Sequence, residues 1–295
     1  MLLTQLIKKG VEMVSDVYPE REAREIVYAC LESIAGTRRH THIVEPGHEV
    51  SESVVAQVLA SYDRLAAGEP LQYVLGHAYF YGRQFRVTPD VLIPRPETEL
   101  LCRNILDFVA ADAGKGLKVM DLCTGSGCIA WTLALEMAGA EVTAVDISDG
   151  ALAVASSQVF SQEMSRTGAV APTFIKADVL CPPEQCEGYF PEKKYDIIVS
   201  NPPYVMDKEK ALMRSNVIDH EPHLALFVSD DDPLIFYRAV AQWAAGLLKE
   251  DGIGVVEINE ALGQETASVF KTAGFARIEV IKDLSDRDRF VSFRR

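Results

Sequence analysis

The sequence predicts an α/β protein with a mostly parallel sheet and a small helical domain at its N-terminus. From about residue 94 onward, short apolar runs alternate with helical patterns, which is typical of βαβ units whose sheet is covered on both faces. Before about residue 70, apolar residues recur at helical spacing instead. A chain of 295 residues is long enough for about two domains.

The first part of the chain is predicted to be helical. Its apolar stripes at helical spacing cover residues 2–14, 23–31 and 54–65. Ser51 or Ser53 is positioned to cap the third helix, and Gly68 and Pro70 follow it in the order typical of a helix end. We assign residues 1–72 to this helical domain.

A change of pattern separates the two domains. The residues that follow are rich in β-prone side chains, which Gly76 and Gly82 interrupt. This pattern predicts a β-hairpin. We therefore expect a hairpin linker over residues 73–93 and a second domain over residues 94–295.

The second domain contains the predicted sheet. Its mostly apolar runs are Lys118–Leu122, Glu141–Asp146, Thr173–Asp178, Tyr195–Ser200 and Gly252–Ile258. Because helical patterns lie between most of these runs, we expect them to pair in parallel. Two later runs, Arg277–Ile281 and Phe290–Phe293, predict an antiparallel pair that brings the sheet to seven strands.

Composition and charge exclude several classes of protein. Acidic residues outnumber basic residues by 43 to 29, and the net charge of -14 argues against binding nucleic acid through its phosphates. No apolar stretch is long enough to span a bilayer, and the N-terminus lacks the order of a signal peptide. Six cysteines are too few for a disulfide scaffold. We expect a cytoplasmic protein with no membrane segment and no direct nucleic-acid contact.

A glycine-rich loop follows the first predicted strand. The strand ends in Asp121-Leu122-Cys123-Thr124-Gly125-Ser126-Gly127, and a helix begins at Cys128. Glycines allow a ligand to approach the backbone closely, and the helix N-terminus presents free N–H groups. Asp146 ends the next strand, where a carboxylate can accept both hydroxyls of a ribose. The pattern also matches the dinucleotide fingerprint, so these residues alone leave NAD and S-adenosylmethionine open.

A second candidate site follows the fourth predicted strand, where the sequence reads Asn201-Pro202-Pro203-Tyr204. Because ligands bind at the carboxyl ends of parallel strands, this turn should lie across the crevice from the glycine loop. The Asn201 side-chain carbonyl and the Pro202 backbone carbonyl can each accept a hydrogen bond from a planar NH₂ group. Pro203 stiffens the turn, and Tyr204 offers a flat face for stacking. The motif therefore indicates chemistry on a conjugated amino group through orientation and charge stabilisation.

These motifs resemble those of a known enzyme family. Residues 121–127, Asp146 and residues 201–204 are similar to class I S-adenosylmethionine-dependent methyltransferases that act on planar amino groups. Residues 70–76, 80–82 and 91–99 resemble the peptide chain release factor glutamine methyltransferase family. The similarity covers most of the chain from about residue 65, and the helical N-terminus fits the family's small first domain.

The resemblance implies a fold, a reaction and site residues. The fold would be the Rossmann-like, mostly parallel seven-stranded sheet of class I methyltransferases. The reaction would methylate the amide nitrogen of the Gln in the Gly-Gly-Gln loop of release factors, with the helical domain recognising the substrate. The implied cofactor-binding residues are Asp121, Cys123, Thr124, Gly125, Ser126, Gly127, Asp146, Asp178, Val179 and Asn201. The implied substrate-binding residues are Asn201, Pro202, Pro203 and Tyr204, of which Asn201, Pro202 and Tyr204 would be catalytic.

Other polar residues carry weaker signals. Arg95 and Glu97, just before the first helix of the second domain, are candidates for the site entrance, and Arg95 is also a candidate for substrate binding. Thr98 or Glu97 could instead cap that helix. The pairs His40-x-His42 and His220-x-x-His223 lack a third partner at ligand spacing, so we expect no metal. We also expect a monomer.

Two positions depart from the family pattern. Cys123 stands where the family usually has Gly, so its Cβ could crowd the cofactor or require a negative φ. Asn259 also stands where a Gly is more usual. The alternatives that stay open are a glutamine methyltransferase for a ribosomal protein, an adenine or guanine methyltransferase, an NAD-dependent oxidoreductase and a non-catalytic module.

Overall fold

A computed structural model describes residues 1–109, 116–186 and 194–295. It contains two compact units, one formed by Met1–His77 with Arg214–His220 and the other by Ala78–Met213 with Glu221–Arg295. The partition expected above, into 1–72, 73–93 and 94–295, stays a prediction. Among the helices of the described ranges, none is both long and apolar enough to cross a membrane.

The smaller unit is helical, as the apolar stripes predict. Its helices are α1 (Leu3–Val14), α2 (Glu20–Ala35), α3 (Thr41–Val44), α4 (Glu52–Ala66), α5 (Leu71–Leu75) and, from the later segment, α10 (Ser215–His220). Ser51 occupies the N-cap position of α4 without a side-chain capping bond. Tyr73 lies in α5 and not in the hairpin, because the strands begin only at His77.

The larger unit contains the remaining elements. The strands are β1 (His77–Phe80), β2 (Arg83–Arg86), β3 (Lys118–Leu122), β4 (Glu141–Asp146), β5 (Thr173–Lys176), β6 (Tyr195–Ser200), β7 (Val205–Met206), β8 (Phe227–Val228), β9 (Leu248–Glu257), β10 (Ala276–Lys282) and β11 (Asp288–Arg294). The helices are α6 (Pro96–Phe108), α7 (Cys128–Glu136), α8 (Asp149–Ser156), α9 (Ser161–Thr167), α11 (His223–Leu226), α12 (Ile235–Leu247) and α13 (Gly263–Thr272). Short 3₁₀ turns cover Pro183–Gln185, Asp207–Leu212 and Glu260–Leu262.

Seven strands form the main sheet in the order β10-β11-β9-β6-β3-β4-β5. The five strands from β9 to β5 pair in parallel, and β11 and β10 add the antiparallel pair at one edge. The predicted sheet is therefore confirmed. The direction of winding reverses between the neighbouring strands β3 and β6, because the chain continues from β3 toward one edge of the sheet and from β6 toward the other. Open α/β sheets bind ligands at such a point.

The sheet is covered on both faces, as its mostly apolar strands require. Val119 and Ile197 pack on one face with α6, α7 and the β1–β2 hairpin. Met120 and Ile198 point to the opposite face and pack with α12 and α13. Successive residues of a strand face opposite sides of a sheet, so each buried strand contributes to both halves of the core. Because the strands are packed on both faces, their ends are fixed in position, and so are the first residues of the loops that follow them.

Candidate active site

A cleft opens at the carboxyl ends of the parallel strands. Its empty volume, including the part open to solvent, is about 1090 Å³. The loops after β3, β4, β5 and β6 all contribute to its walls. Of the predicted site residues, those that line it are Arg95, Cys123, Thr124, Gly125, Ser126, Asp146, Asp178, Val179, Asn201 and Pro203. The structure therefore brings the glycine loop and the Asn201 turn to one cavity.

Four predicted site residues belong to these loops but are not part of the cleft lining within the described chain. They are Asp121, Gly127, Pro202 and Tyr204. Gly127 has a φ of +77°, and a Cβ there would lie 3.0 Å from the Cβ of Ala155 and 3.2 Å from Trp131 Cδ1. Gly127 thus permits the loop to turn into α7 against α8, which is a structural requirement.

Gly125 differs from Gly127 because it borders open space. Its φ is +55°, and an added Cβ would meet no atom within 4 Å. Since Gly125 lines the cleft, a side chain at this position would project into the cavity. Its backbone N–H donates to Asp146 Oδ2 at 2.8 Å, which joins the loop after β3 to the end of β4.

Cys123 occupies the left-handed region of backbone conformation, with a φ of +62°. The expectation that a Cβ could require a negative φ is therefore wrong. A residue with a Cβ pays a steric cost of about 1–2 kcal/mol in this conformation. The surrounding sheet holds it there: Thr124 N–H donates to the carbonyl of Val145 at 3.0 Å. Burial raises the pKa of the Cys123 thiol, so the side chain is a neutral part of the cleft wall.

Asp146 is the carboxylate that ends β4. Besides the bond from Gly125, its Oδ1 accepts the backbone N–H of Ser148 at 2.9 Å. Burial raises the pKa of Asp146, and the backbone N–H groups of Ser148, Gly125 and Ile147 oppose that rise. A carboxylate oxygen has two lone pairs, so each oxygen can accept a further bond from a ligand hydroxyl.

Asp121 lies fully buried beneath the loop. Its Oδ2 accepts a hydrogen bond from Thr124 Oγ1 at 2.6 Å, whereas Oδ1 has no hydrogen-bond partner among the described residues. Burial raises the pKa of Asp121 to about 7. An unpaired buried carboxylate oxygen is costly, so burial of Asp121 favours its neutral, protonated form.

The Asn201 turn is positioned by strand register. Ser200 pairs with Leu122 of β3 on one side and with Val256 of β9 on the other. Its hydroxyl also donates to the carbonyl of Leu122 at 2.7 Å. Asn201 is therefore level with the first residue of the glycine loop and with Glu257, the last residue of β9.

Two residues that the sequence analysis did not assign to the site support this turn. Asn201 Nδ2 donates to Thr98 Oγ1 at 3.3 Å, and Thr98 Oγ1 donates to Glu257 Oε2 at 2.8 Å. The hydroxyl of Tyr204 donates to Glu257 Oε1 at 2.9 Å. Burial raises the pKa of Glu257 and also that of Tyr204. The alternative in which Thr98 caps α6 is wrong, because its hydroxyl bonds Glu257. The sequence signal that could have identified Glu257 is its position, because it ends a strand at the same edge of the sheet as the Asn201 turn.

Arg95 lines the cleft in an ion pair. Its Nη2 lies 2.6 Å from Oε1 of the buried Glu221, whose Oε2 accepts the backbone N–H of Ile93 at 3.1 Å. The guanidinium is about one-third exposed, so it can still contact a ligand. Within the described residues, no three His, Cys, Asp or Glu side chains converge as a metal site would require.

Sequence comparison places this site in a family. Residues 98–224 match the family described as "Methyltransferase small domain", and residues 5–76 match the "PrmC N-terminal domain". The release factor glutamine methyltransferase of Flavobacterium psychrophilum is 36% identical over 292 residues, which are 99% of this chain and 98% of the relative. The chain belongs to the release factor glutamine methyltransferase family. The family's protein from Bacteroides thetaiotaomicron is 42% identical over 232 residues, covering 79% of this chain and 78% of that one.

Membership of the release factor glutamine methyltransferase family confirms the resemblance drawn from the motifs, and it extends that resemblance to the N-terminal helices. Family membership does not favour the alternatives, which were a glutamine methyltransferase for a ribosomal protein, a nucleic-acid methyltransferase, an oxidoreductase and a non-catalytic module. Among solved structures, the 16S rRNA N2 G1207 methyltransferase of T. thermophilus, in complex with AdoMet and guanosine, aligns with a TM-score of 0.49 at 18% identity. The alignment covers 74% of this chain and 50% of that one.

Proposed function

We propose that this protein transfers a methyl group from S-adenosylmethionine to the side-chain amide nitrogen of the glutamine in the Gly-Gly-Gln motif of peptide chain release factors. The observation that carries the proposal is similarity over 99% of the chain to a release factor glutamine methyltransferase. Support comes from the cleft, in which the glycine loop and the Asn201 turn line the same cavity. The acidic net charge of -14 fits a protein substrate better than direct contact with nucleic acid.

The residues of the cleft fit this cofactor. The open space beside Gly125 leaves room for a ligand against the backbone, where a larger residue would project. Both Asp146 oxygens retain a lone pair for the two ribose hydroxyls. Asp178 and Val179, which line the same cleft after β5, would border the adenine, and Cys123 to Ser126 would border the methionine part.

The reaction mainly requires the protein to orient the substrate amide. When bound, the cofactor would supply an electrophilic methyl group on a sulfonium sulfur, which would leave as the neutral thioether of S-adenosylhomocysteine. The amide nitrogen would release one of its two protons to solvent. The nitrogen lone pair of a carboxamide is delocalised, so the protein must hold the NH₂ group where that lone pair can reach the methyl carbon. Asn201 Oδ1 and the Pro202 carbonyl would accept its two N–H bonds and stabilise positive charge growing on nitrogen. Tyr204 would stack against the planar amide, and Arg95 would contact the substrate at the entrance.

Peptide mapping tests the proposal. The purified protein is incubated with isotopically labelled S-adenosylmethionine and unmethylated release factor, and the labelled methyl group is located by mass spectrometry. We expect it on the Gly-Gly-Gln glutamine. A release factor with that glutamine replaced by Asn, a ribosomal protein and total RNA are the controls. Label in any of these controls, with none in the intact release factor, would reject the proposed substrate. We expect the enzyme to act as a cytoplasmic monomer.

A further inference from the structure

A buried carboxylate links the two side chains proposed to hold the substrate amide. Glu257 is 1% exposed, and its two oxygens accept hydrogen bonds from Thr98 and Tyr204. Thr98, also 1% exposed, accepts the Asn201 amide in turn. Glu257 thus contacts Tyr204 directly and is linked to Asn201 through the hydroxyl of Thr98.

The direction of these hydrogen bonds follows from the number of protons available. An ionised carboxylate can only accept, so the single hydroxyl proton of Thr98 points toward Glu257. The Thr98 oxygen can then only accept from Asn201, which must present its NH₂ group. The Asn201 carboxamide is planar, so its Oδ1 is directed away from Thr98. An ionised Glu257 therefore decides which end of the Asn201 amide is free to accept a hydrogen bond.

We propose that Glu257, acting through Thr98, is a positioning residue that orients the Asn201 carboxamide so that Oδ1 accepts from the NH₂ group of the substrate glutamine. The inference rests on the proposed function, because it concerns the same amide site. The second oxygen of Glu257 accepts the hydroxyl of Tyr204. One carboxylate therefore positions both the Asn201 acceptor and the Tyr204 ring that would stack on the substrate amide. Without this constraint, a rotated Asn201 would direct its own NH₂ group at that of the substrate.

The charge of Glu257 controls the arrangement. Burial raises its pKa, while the hydrogen bonds from Thr98 and Tyr204 and the charge of Arg289 oppose that rise. The titratable groups that interact electrostatically with it are Tyr204, Tyr237, Arg289, Glu97, Cys102 and Cys128. A Glu257 protonated on Oε2, the oxygen that faces Thr98, becomes a donor toward Thr98, which frees the Thr98 proton to donate to Asn201 Oδ1. The rate should therefore fall as the pH decreases through the Glu257 pKa.

Matched variants of Thr98 test the relay by kinetics. Thr98→Ser keeps the hydroxyl, whereas Thr98→Val keeps the shape and removes it. We expect Thr98→Val to lower kcat by about 10- to 100-fold with KM changed less than about threefold, because the orientation matters most in the transition state. Thr98→Ser should restore kcat to within about threefold of wild type. Glu257→Gln should lower kcat and abolish its decline at acidic pH, since the amide does not titrate. Equal kcat values for the Ser and Val variants would overturn the proposal.

A measurement without turnover separates this inference from the proposed function. The chain has four asparagines, at positions 104, 201, 216 and 259, so selective ¹⁵N labelling of their side-chain amides gives a simple NMR spectrum. Asn201→Asp identifies the Asn201 signal by its loss. We expect that signal to shift in Thr98→Val but not in Thr98→Ser. We also expect it to titrate with pH in wild type but not in Glu257→Gln. If release factor is not methylated but these shifts occur, only the proposed function fails. An Asn201 signal unchanged in Thr98→Val would reject the relay itself.

Discussion

The side-chain amide of Asn259 donates a hydrogen bond to the backbone carbonyl of Tyr204 at 3.2 Å. The same NH₂ group donates to Glu209 Oε2 at 2.8 Å, and Glu209 Oε2 accepts the backbone N–H of Met206 at 2.7 Å. Asn259 thus fixes the backbone at the end of the Asn201 turn from the loop after β9. The resemblance placed Gly at this position, and a Gly could make neither side-chain bond.

The first prediction concerns these bonds. Asn259→Ala should lower the free energy of unfolding by about 1–3 kcal/mol, because it removes side-chain hydrogen bonds to the half-buried Tyr204 carbonyl and Glu209 carboxylate. Asn259→Asp keeps the oxygen that accepts the Ala261 N–H at 2.9 Å but loses both donors and places a carboxylate against Glu209. We expect the Asp variant to be at least as unstable as the Ala variant in urea denaturation at neutral pH. An Asp variant as stable as wild type would show that the donor bonds contribute nothing.

The second prediction separates the two loop glycines. Gly127→Ala should destabilise the protein by about 2–4 kcal/mol, because strain at positive φ adds to the contact with Ala155. Gly125→Ala has strain but no contact within 4 Å, so about 1–2 kcal/mol is expected. Its main effect should be on cofactor affinity, lowered at least tenfold in calorimetry. If Gly125→Ala binds S-adenosylmethionine like wild type, the space beside it is not the cofactor site.

The third prediction concerns Cys123. Replacement by Gly removes a steric cost of about 1–2 kcal/mol at positive φ. It also makes the unfolded chain more flexible, which raises the entropic cost of folding by about 0.5–1 kcal/mol. We expect Cys123→Gly to be as stable as wild type or slightly more stable in thermal unfolding, with cofactor affinity undiminished. Cys123→Ala keeps the Cβ and should gain no stability. A clear loss of stability in the Gly variant would contradict a steric cost at this position, and an equal loss in the Ala variant would assign that loss to the packing of the thiol.

The fourth prediction is a pH dependence that arises from Asp121. Its pKa is about 7 in the folded protein, whereas an unfolded Asp has a pKa of about 4. Between these values the folded state holds a proton that the unfolded state has lost, so this group lowers stability as the pH rises through that window. Its contribution approaches about 1.4 kcal/mol per pH unit.

Asp121→Asn tests this sign. The neutral amide binds no proton, so the unfolding free energy of the variant should fall less steeply than that of wild type between about pH 4 and 7. Chemical denaturation at several pH values measures both slopes. Parallel slopes for the two proteins would contradict a raised Asp121 pKa.

Local patterns were sufficient to predict much of the fold. β3, β4 and β6 have the predicted bounds, because each is a short apolar run between clear breaks. β9 begins at Leu248, four residues before the predicted strand. The sequence does not indicate this start because the charged residues Lys249, Glu250 and Asp251 interrupt the apolar pattern. In the structure Lys249 pairs with Asp196 of neighbouring β6 at 2.6 Å, so a charge that appears to interrupt the strand is compensated across the sheet.

The candidate site was predictable where its residues form contiguous motifs or stand at the end of a predicted strand. The glycine loop and the Asn201 turn are contiguous motifs, so their residue types and spacing reveal them. Thr98 and Glu257 are 159 residues apart, and their contact depends on strand order and register, which no short pattern encodes. The conformation of Cys123 was likewise decided by the surrounding sheet and not by its own preference.

The placement of β9 between β6 and β11 has a consequence for synthesis of the protein. Both recognisable motifs lie within the first 204 residues, but the carboxylate that anchors Tyr204 and Thr98 follows only at residue 257. A nascent chain that stops before β9 would carry every signature of the enzyme and leave the edge of β6 unpaired. Catalytic competence should therefore appear late and abruptly during translation, when about the last sixth of the polypeptide joins the sheet.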